Sequence, residues 1–276
     1  MRTIVKRGQP VALATWRNER LRNHELPADQ RKEGVECDYD ALRSSAEVLA
    51  AVENQLYEEQ GGLCAYTGIK LVLTTADPST GTERHVGFHL EHLKAQKHCK
   101  EGPTALYGQD ADYENLVACW PPPNRKSQEQ YGAHPKGDWP DPDPDLDQVR
   151  LFVSPLARGC EARFKYDHRG EVTAADPADM AVTTTINKLV LNHKDLVALR
   201  KAAIKSFLAP RNEYLGGTQA RRLLDELRQA SQDLNRGQPV MLLPFCFAIE
   251  PALERHIRKQ EGSQASRMRT TAAAKK

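Results

Sequence analysis

Three consecutive prolines, Pro121–Pro123, follow the segment YENLVAC at residues 113–119 after a single tryptophan, Trp120, and they limit what the chain can do there. Proline has no N–H and a fixed φ, so no strand runs through such a run, whereas a helix can begin on it. YENLVAC therefore reads as a strand that stops before the prolines, and NRKSQEQYG as a helix that starts after them. Upstream, RHVGFHLEHL alternates enough for a second strand, and the turn-rich TTADPSTGTE precedes it. The local order is strand, loop, strand, helix.

The flanks read differently. The first 35 residues are polar and lack periodicity. YDALRSSAEVLAAVENQLYEEQGG then predicts one amphipathic helix from Tyr39 to Gly62, with Leu42, Val48, Leu49, Val52 and Leu56 on one side and Gly61-Gly62 as its stop. LCAYTGIKLVL, residues 63–73, predicts a short β-ribbon or knuckle. PKGDWPDPDPDLD is a stiff acidic connector, and without a bend glycine or a closing glutamate its aspartates do not make a calcium loop. LFVSPL predicts a short strand and ARFKYDHRGEV a hairpin, and beyond residue 176 the pattern is helical. SQASRMRTTAAAKK, basic and low in complexity, is expected to be disordered. The reading is an α+β protein in four parts: an arm and helix over 1–60, a core over 61–140, a mainly helical region with a short hairpin over 141–262, and a tail over 263–276.

Composition narrows the function classes. With 276 residues, 39% hydrophobic and 28% charged, the chain is long enough for a sizeable core. It has no apolar run near the roughly 20 residues that span a bilayer. The N-terminus lacks the apolar stretch of a signal peptide, so a cytoplasmic protein with no membrane partner is expected. Net charge is only +2, so any hold on nucleic acid must come from local patches. The six cysteines include no Cys-x-x-Cys pair.

Chemistry concentrates in FHLEHLKAQ, which sets His89, Glu91 and His92 at the end of a strand. With Asn115 and an Asn or His in the following helix, Glu91-His92 resembles the pattern of HNH nucleases. Phosphodiester hydrolysis needs a base to activate water and a divalent cation to stabilise charge on phosphate. Histidine suits the first task near neutral pH, and carboxylate or carboxamide oxygen suits a hard cation. The helix residue is open between Asn124, nine residues after Asn115, and His134 in GAHPKGD. Lys94, Lys97, Arg125 and Lys126 flank the segment as candidate nucleic-acid contacts. HLEH has neither zincin spacing, ACWPP lacks the P-C-x-x-C of a zinc deaminase, and no Walker A sequence occurs.

Over about the first 200 residues the chain resembles the PtuB family of HNH endonucleases, the nuclease partners of Septu and certain retron anti-phage systems. The segments are MRTIVKRGQP, EEQGGLCAYTG, HLEHLKAQ, DYENLVAC, KGDW and FVSPLARGCEARFKYDHRGEV. The resemblance implies a ββα-metal core embedded in a mainly helical protein, and Mg²⁺- or Mn²⁺-dependent cleavage of DNA or RNA. It also implies an SMC-like or ABC-type ATPase partner, for which the amphipathic segment from Thr218 to Leu234 offers a docking surface. By position, it carries the general base to His92, metal ligation to Glu91 and to His134 or Asn124, loop orientation to Asn115, and a supporting role to His89. The family usually has a second cysteine where Thr67 stands and another where Tyr131 stands. Cys64 and Cys119 then remain as remnants, and no structural zinc is expected. The rival reading is a binding module that has lost catalysis.

Overall fold

The computed structural model describes residues 1–76, 79, 81–122, 130–209 and 215–273, with side chains described up to Ser263. Helices predominate, and three two-stranded antiparallel ribbons lie between them, which makes the fold α+β. One hydrophobic cluster runs from Met1 and Leu13 through Leu56, Leu116 and Ile186 to Leu253. No helix among the described residues is long and apolar enough to cross a membrane.

The polar N-terminal region contains a helix that the sequence pattern did not predict, α1 (Val11–Glu25). Only Leu13 and Trp16 are buried along it, so it leaves no apolar stripe to read. Trp16 fixes it instead, its indole N–H donating to Ser45 Oγ at 2.9 Å. That contact also explains why the helix expected over Tyr39–Gly62 is two, α2 (Tyr39–Ser44) and α3 (Ala46–Glu59). Ser45 sits at the break with φ −99° and ψ 79°, its hydroxyl donating to Ala41 O at 3.0 Å. The stop at Gly61 and Gly62 is where it was expected, both in the left-handed region.

After the knuckle at 63–70 come β1 (Leu73–Thr74) and β2 (His85–Val86), which pair, and then β3 (His89–His92). A loop carrying α4 (Gln96–Lys100) leads to a single 3-10 turn, Tyr113–Asn115, and to β4 (Leu116–Cys119). The helix expected over NRKSQEQYG lies mostly outside the described residues. α5 (Ala133–Lys136) follows.

LFVSPL is not a strand. Val149–Leu151 is a 3-10 turn, and the side chain of Thr185 takes the pairing role, accepting from Val153 N at 2.9 Å and donating to Leu151 O at 3.2 Å. The expected hairpin is present as β5 (Phe164–Tyr166) and β6 (Val172–Ala174). α6 (Met180–Lys188), α7 (Lys194–Leu208), α8 (Gly217–Asn235) and α9 (Cys246–Ala273) complete the fold. α9 carries helical backbone to Ala273, into the stretch read as a disordered tail, whose alanines, arginines and glutamine are good helix formers. The apolar face of α8, expected from the sequence to be a docking surface, is turned inward. Ala220, Leu224, Leu227 and Leu234 are buried where α8 packs on α9.

Candidate active site

β3 and β4 form the antiparallel ribbon that displays HLEH. Its register pairs His89 with Cys119, Leu90 with Ala118, Glu91 with Val117 and His92 with Leu116. Strand alternation divides β3 between two faces: Leu90 and His92 are buried, while His89 and Glu91 are half-buried on the other side. β4 is buried at all four positions and anchors the ribbon in the core. Glu91 and His92 thus diverge from the strand, with His92 as its last residue.

His92 is held from two directions. Its Nε2 lies 2.9 Å from Asp110 O, and Tyr39 packs edge-on against the ring at 4.5 Å. A carbonyl only accepts, so Nε2 carries the proton and Nδ1 keeps its lone pair. Nδ1 has no hydrogen-bond partner among the described residues. Burial pushes the imidazole below its usual pKa, and the Asp110 carbonyl with the carboxylates of Glu91 and Asp110 offsets this only in part. The ring is neutral at pH 7 and has the tautomer of a base.

Asn115 immobilises the chain that leaves His92. Its Oδ1 accepts from Lys94 N at 2.8 Å and its Nδ2 donates to Lys94 O at 3.0 Å, while Leu93 N donates to Asn115 O at 2.9 Å. Three hydrogen bonds therefore lock the two residues after His92 onto the start of β4. This is the geometry of loop orientation.

Glu91 has a partner that the sequence reading did not assign. Lys136, 3% exposed, places Nζ 3.0 Å from Glu91 Oε1 and 2.8 Å from the backbone carbonyl of His92. Gly132 makes this possible, entering α5 at φ 82°, a conformation open to glycine, with Thr67 Cγ2 3.0 Å from where a Cβ would stand. On the other side of Glu91, Oε2 faces His89 Nε2 at 3.8 Å, and His89 Nδ1 donates to Pro121 O at 2.6 Å. Burial opposes charge on His89, but Glu91 and the Pro121 carbonyl outweigh it, and its pKa is raised. The two histidines of HLEH are thus displaced in opposite directions.

A carboxylate oxygen beside an imidazole whose other nitrogen is fixed by a carbonyl is a donor pair that fits a divalent cation. Among the described residues no group of three or more His, Cys, Asp or Glu side chains could hold an ion. His134 is exposed on α5, and it is Lys136, not His134, that this helix turns toward Glu91. Asn124, Arg125 and Lys126 lie outside the described residues.

No family model and no curated protein matches the chain.

The remaining site candidates divide on contacts. Lys97 is exposed. Lys94 is committed inside the loop, its ammonium donating to Thr104 O and, at 2.7 Å, to Gln109 Oε1, so it is a strut of the loop and not a free phosphate contact. Cys64 and Cys119 are both buried, and Trp120 N donates to Cys64 Sγ at 3.4 Å. Burial alone would raise the Cys64 thiol, but Cys119, Thr67 and the Trp120 N–H outweigh it and bring the pKa to about 6. Burial and the neighbouring Cys64 raise Cys119 instead.

Lys136 is the site residue that sequence reasoning missed. It lies in the quoted segment KGDW, and the one local signal is its place in a four-residue helix bracketed by Gly132 and Gly137.

Proposed function

We propose that this chain is an HNH endonuclease of the PtuB type, with a ββα-metal core at about residues 61–140, that hydrolyses phosphodiester bonds of nucleic acid, most readily DNA. The observation that carries the reading is the coupling of Asn115 to Leu93 and Lys94, directly behind a histidine whose tautomer is fixed as a base. A scissile phosphate at the end of β3 lies between the diverging side chains of Glu91 and His92. His92 Nδ1 takes the proton of the attacking water, and the Asp110 carbonyl steadies the imidazolium through Nε2–H. Asn115 keeps the base from swinging away, and Lys136 holds the Glu91 carboxylate in its orientation. Mg²⁺ or Mn²⁺, held by Glu91 with His89 beside it and with Asn124 as the remaining ligand candidate, would supply charge stabilisation at the phosphate.

The experiment is to incubate the purified chain with supercoiled plasmid and with tRNA, in Mg²⁺ and in EDTA. Nicking of plasmid in Mg²⁺ and not in EDTA is expected. Failure to cut either substrate in Mg²⁺ or Mn²⁺ contradicts the reading. The pH dependence provides a second expected outcome. Because the base must be neutral and burial lowers its pKa from the ordinary 6.5, cleavage gains little above about pH 7 and falls, toward tenfold per pH unit, once acid protonates the imidazole. A rate still climbing steeply above pH 7 would assign the base to another group.

A binding module is favoured by two observations: His92 is 8% exposed, and an internal lysine already satisfies one oxygen of Glu91. That reading predicts plasmid binding without cleavage in the same assay. The ATPase partner rests on the family resemblance, and an adjacent gene for an ATPase, with or without a reverse transcriptase, would distinguish the Septu and retron settings.

A further inference from the structure

We propose that Lys6, in the N-terminal arm, is a positioning residue that holds the turn carrying Asn115, and through Asn115 the backbone that follows His92. The inference rests on the reading of His92 and Asn115 as site residues.

The arm is built into the molecule. Thr3 N donates to Glu161 Oε2 at 2.9 Å, Ile4 N to Pro155 O at 2.8 Å and Arg7 N to Glu59 Oε1 at 2.8 Å. Between these anchors the Lys6 ammonium donates to Tyr113 O at 3.1 Å and to Leu116 O at 2.7 Å, and it stands over the Tyr113 ring at 3.9 Å. These two carbonyls flank Asn115 in the chain. The Leu93 N to Asn115 O bond makes His92 and Leu116 a non-hydrogen-bonded pair, so the Leu116 carbonyl points away from β3 and needs a donor from elsewhere. Lys6 is that donor.

A half-buried ammonium needs compensation, and the structure supplies it. Tyr113 OH donates to Glu59 Oε2 at 2.7 Å, and Gln55 and the arm itself occupy Glu59 Oε1. Burial lowers the Lys6 pKa to about 8, opposed in part by Glu59, Glu114 and Asp112, so the group is charged at neutral pH. Lys6 touches neither His92 nor Glu91. Its effect is to fix the backbone on both sides of Asn115, which aims the carboxamide at both polar groups of Lys94.

The test is amide hydrogen exchange by NMR in Lys6→Met beside the wild type, with plasmid cleavage measured in parallel. Exchange at Leu93 and Lys94 is expected to speed up about tenfold while the amides of α3 stay unchanged. The value of kcat is expected to fall about tenfold with KM for plasmid unchanged, the usual cost of losing a partner behind a site residue. Unchanged exchange at those two amides, or an equal rise throughout the chain, would overturn the proposal. Should K6M not fold, Lys6→Gln, whose amide still serves one of the two carbonyls, is read by the same comparison. If neither folds, Lys6 is a core residue and the positioning role is overturned. The exchange measurement does not depend on activity: faster exchange in a chain that never cuts nucleic acid would sink the nuclease reading and leave the brace standing.

Discussion

Replacing Lys136 with methionine is expected to destabilise the chain by about 3 kcal/mol, read as a lower urea midpoint at unchanged slope. Lys136 is almost fully enclosed, and its ammonium serves two acceptors, Glu91 Oε1 and the His92 carbonyl. Methionine fills the space but leaves a carboxylate and a carbonyl without their donor. The loss comes from that uncompensated polarity, so pairing K136M with E91Q should recover a substantial part of it. A single variant within the ±0.5 kcal/mol typical of surface changes would mean that the ion pair holds nothing in place.

The same pair bears on the chemistry. Lys136 joins the side chain of Glu91 to the main chain of His92, so the relative placement of the two site residues is set by a third element, α5.

What the sequence made legible was local. Alternation over RHVGFHLEHL and the proline stop located β3 and β4 only in part: the first run divides into β2 and β3 in separate ribbons, and Tyr113–Asn115 of YENLVAC is a 3-10 turn; Gly61-Gly62 ended α3 where expected. The residue pattern also placed Asn115 next to the site, and the structure gives it contacts with the chain after His92. Long-range contacts were beyond that kind of reading. Ser45 breaks a strongly periodic helix because Trp16, 29 residues away, takes its hydroxyl. LFVSPL has the composition of a strand, yet one threonine of α6 satisfies its backbone. Lys94, Lys136 and Lys6 are chemically alike in sequence, but tertiary packing alone makes the first a loop strut, the second a partner of Glu91 and the third a donor to Tyr113 and Leu116. The helical region beyond residue 176 was read correctly as helical, but not that α8 turns its apolar face to α9, leaving exposed arginines paired with Glu254 and Glu261.

The largest expected effect is on catalysis. If His92 Nδ1 is the base, His92→Ala removes the only group in the proposed mechanism that can take the proton of water at neutral pH. General-base loss typically costs 10²- to 10⁴-fold, and a fall of about 10³-fold in the rate of plasmid cleavage is expected. Burial of His92 means that the variant must first show a cooperative thermal transition, with Asn115 and Lys136 left intact to hold the loop.

The decisive measurement is therefore plasmid cleavage in Mg²⁺ by wild type and folded H92A, purified identically so that the variant controls for contaminating nuclease, with plasmid binding followed alongside. The account predicts that H92A binds plasmid as the wild type does and cuts it about 10³-fold more slowly. Cleavage by H92A within a few-fold of the wild-type rate would contradict it.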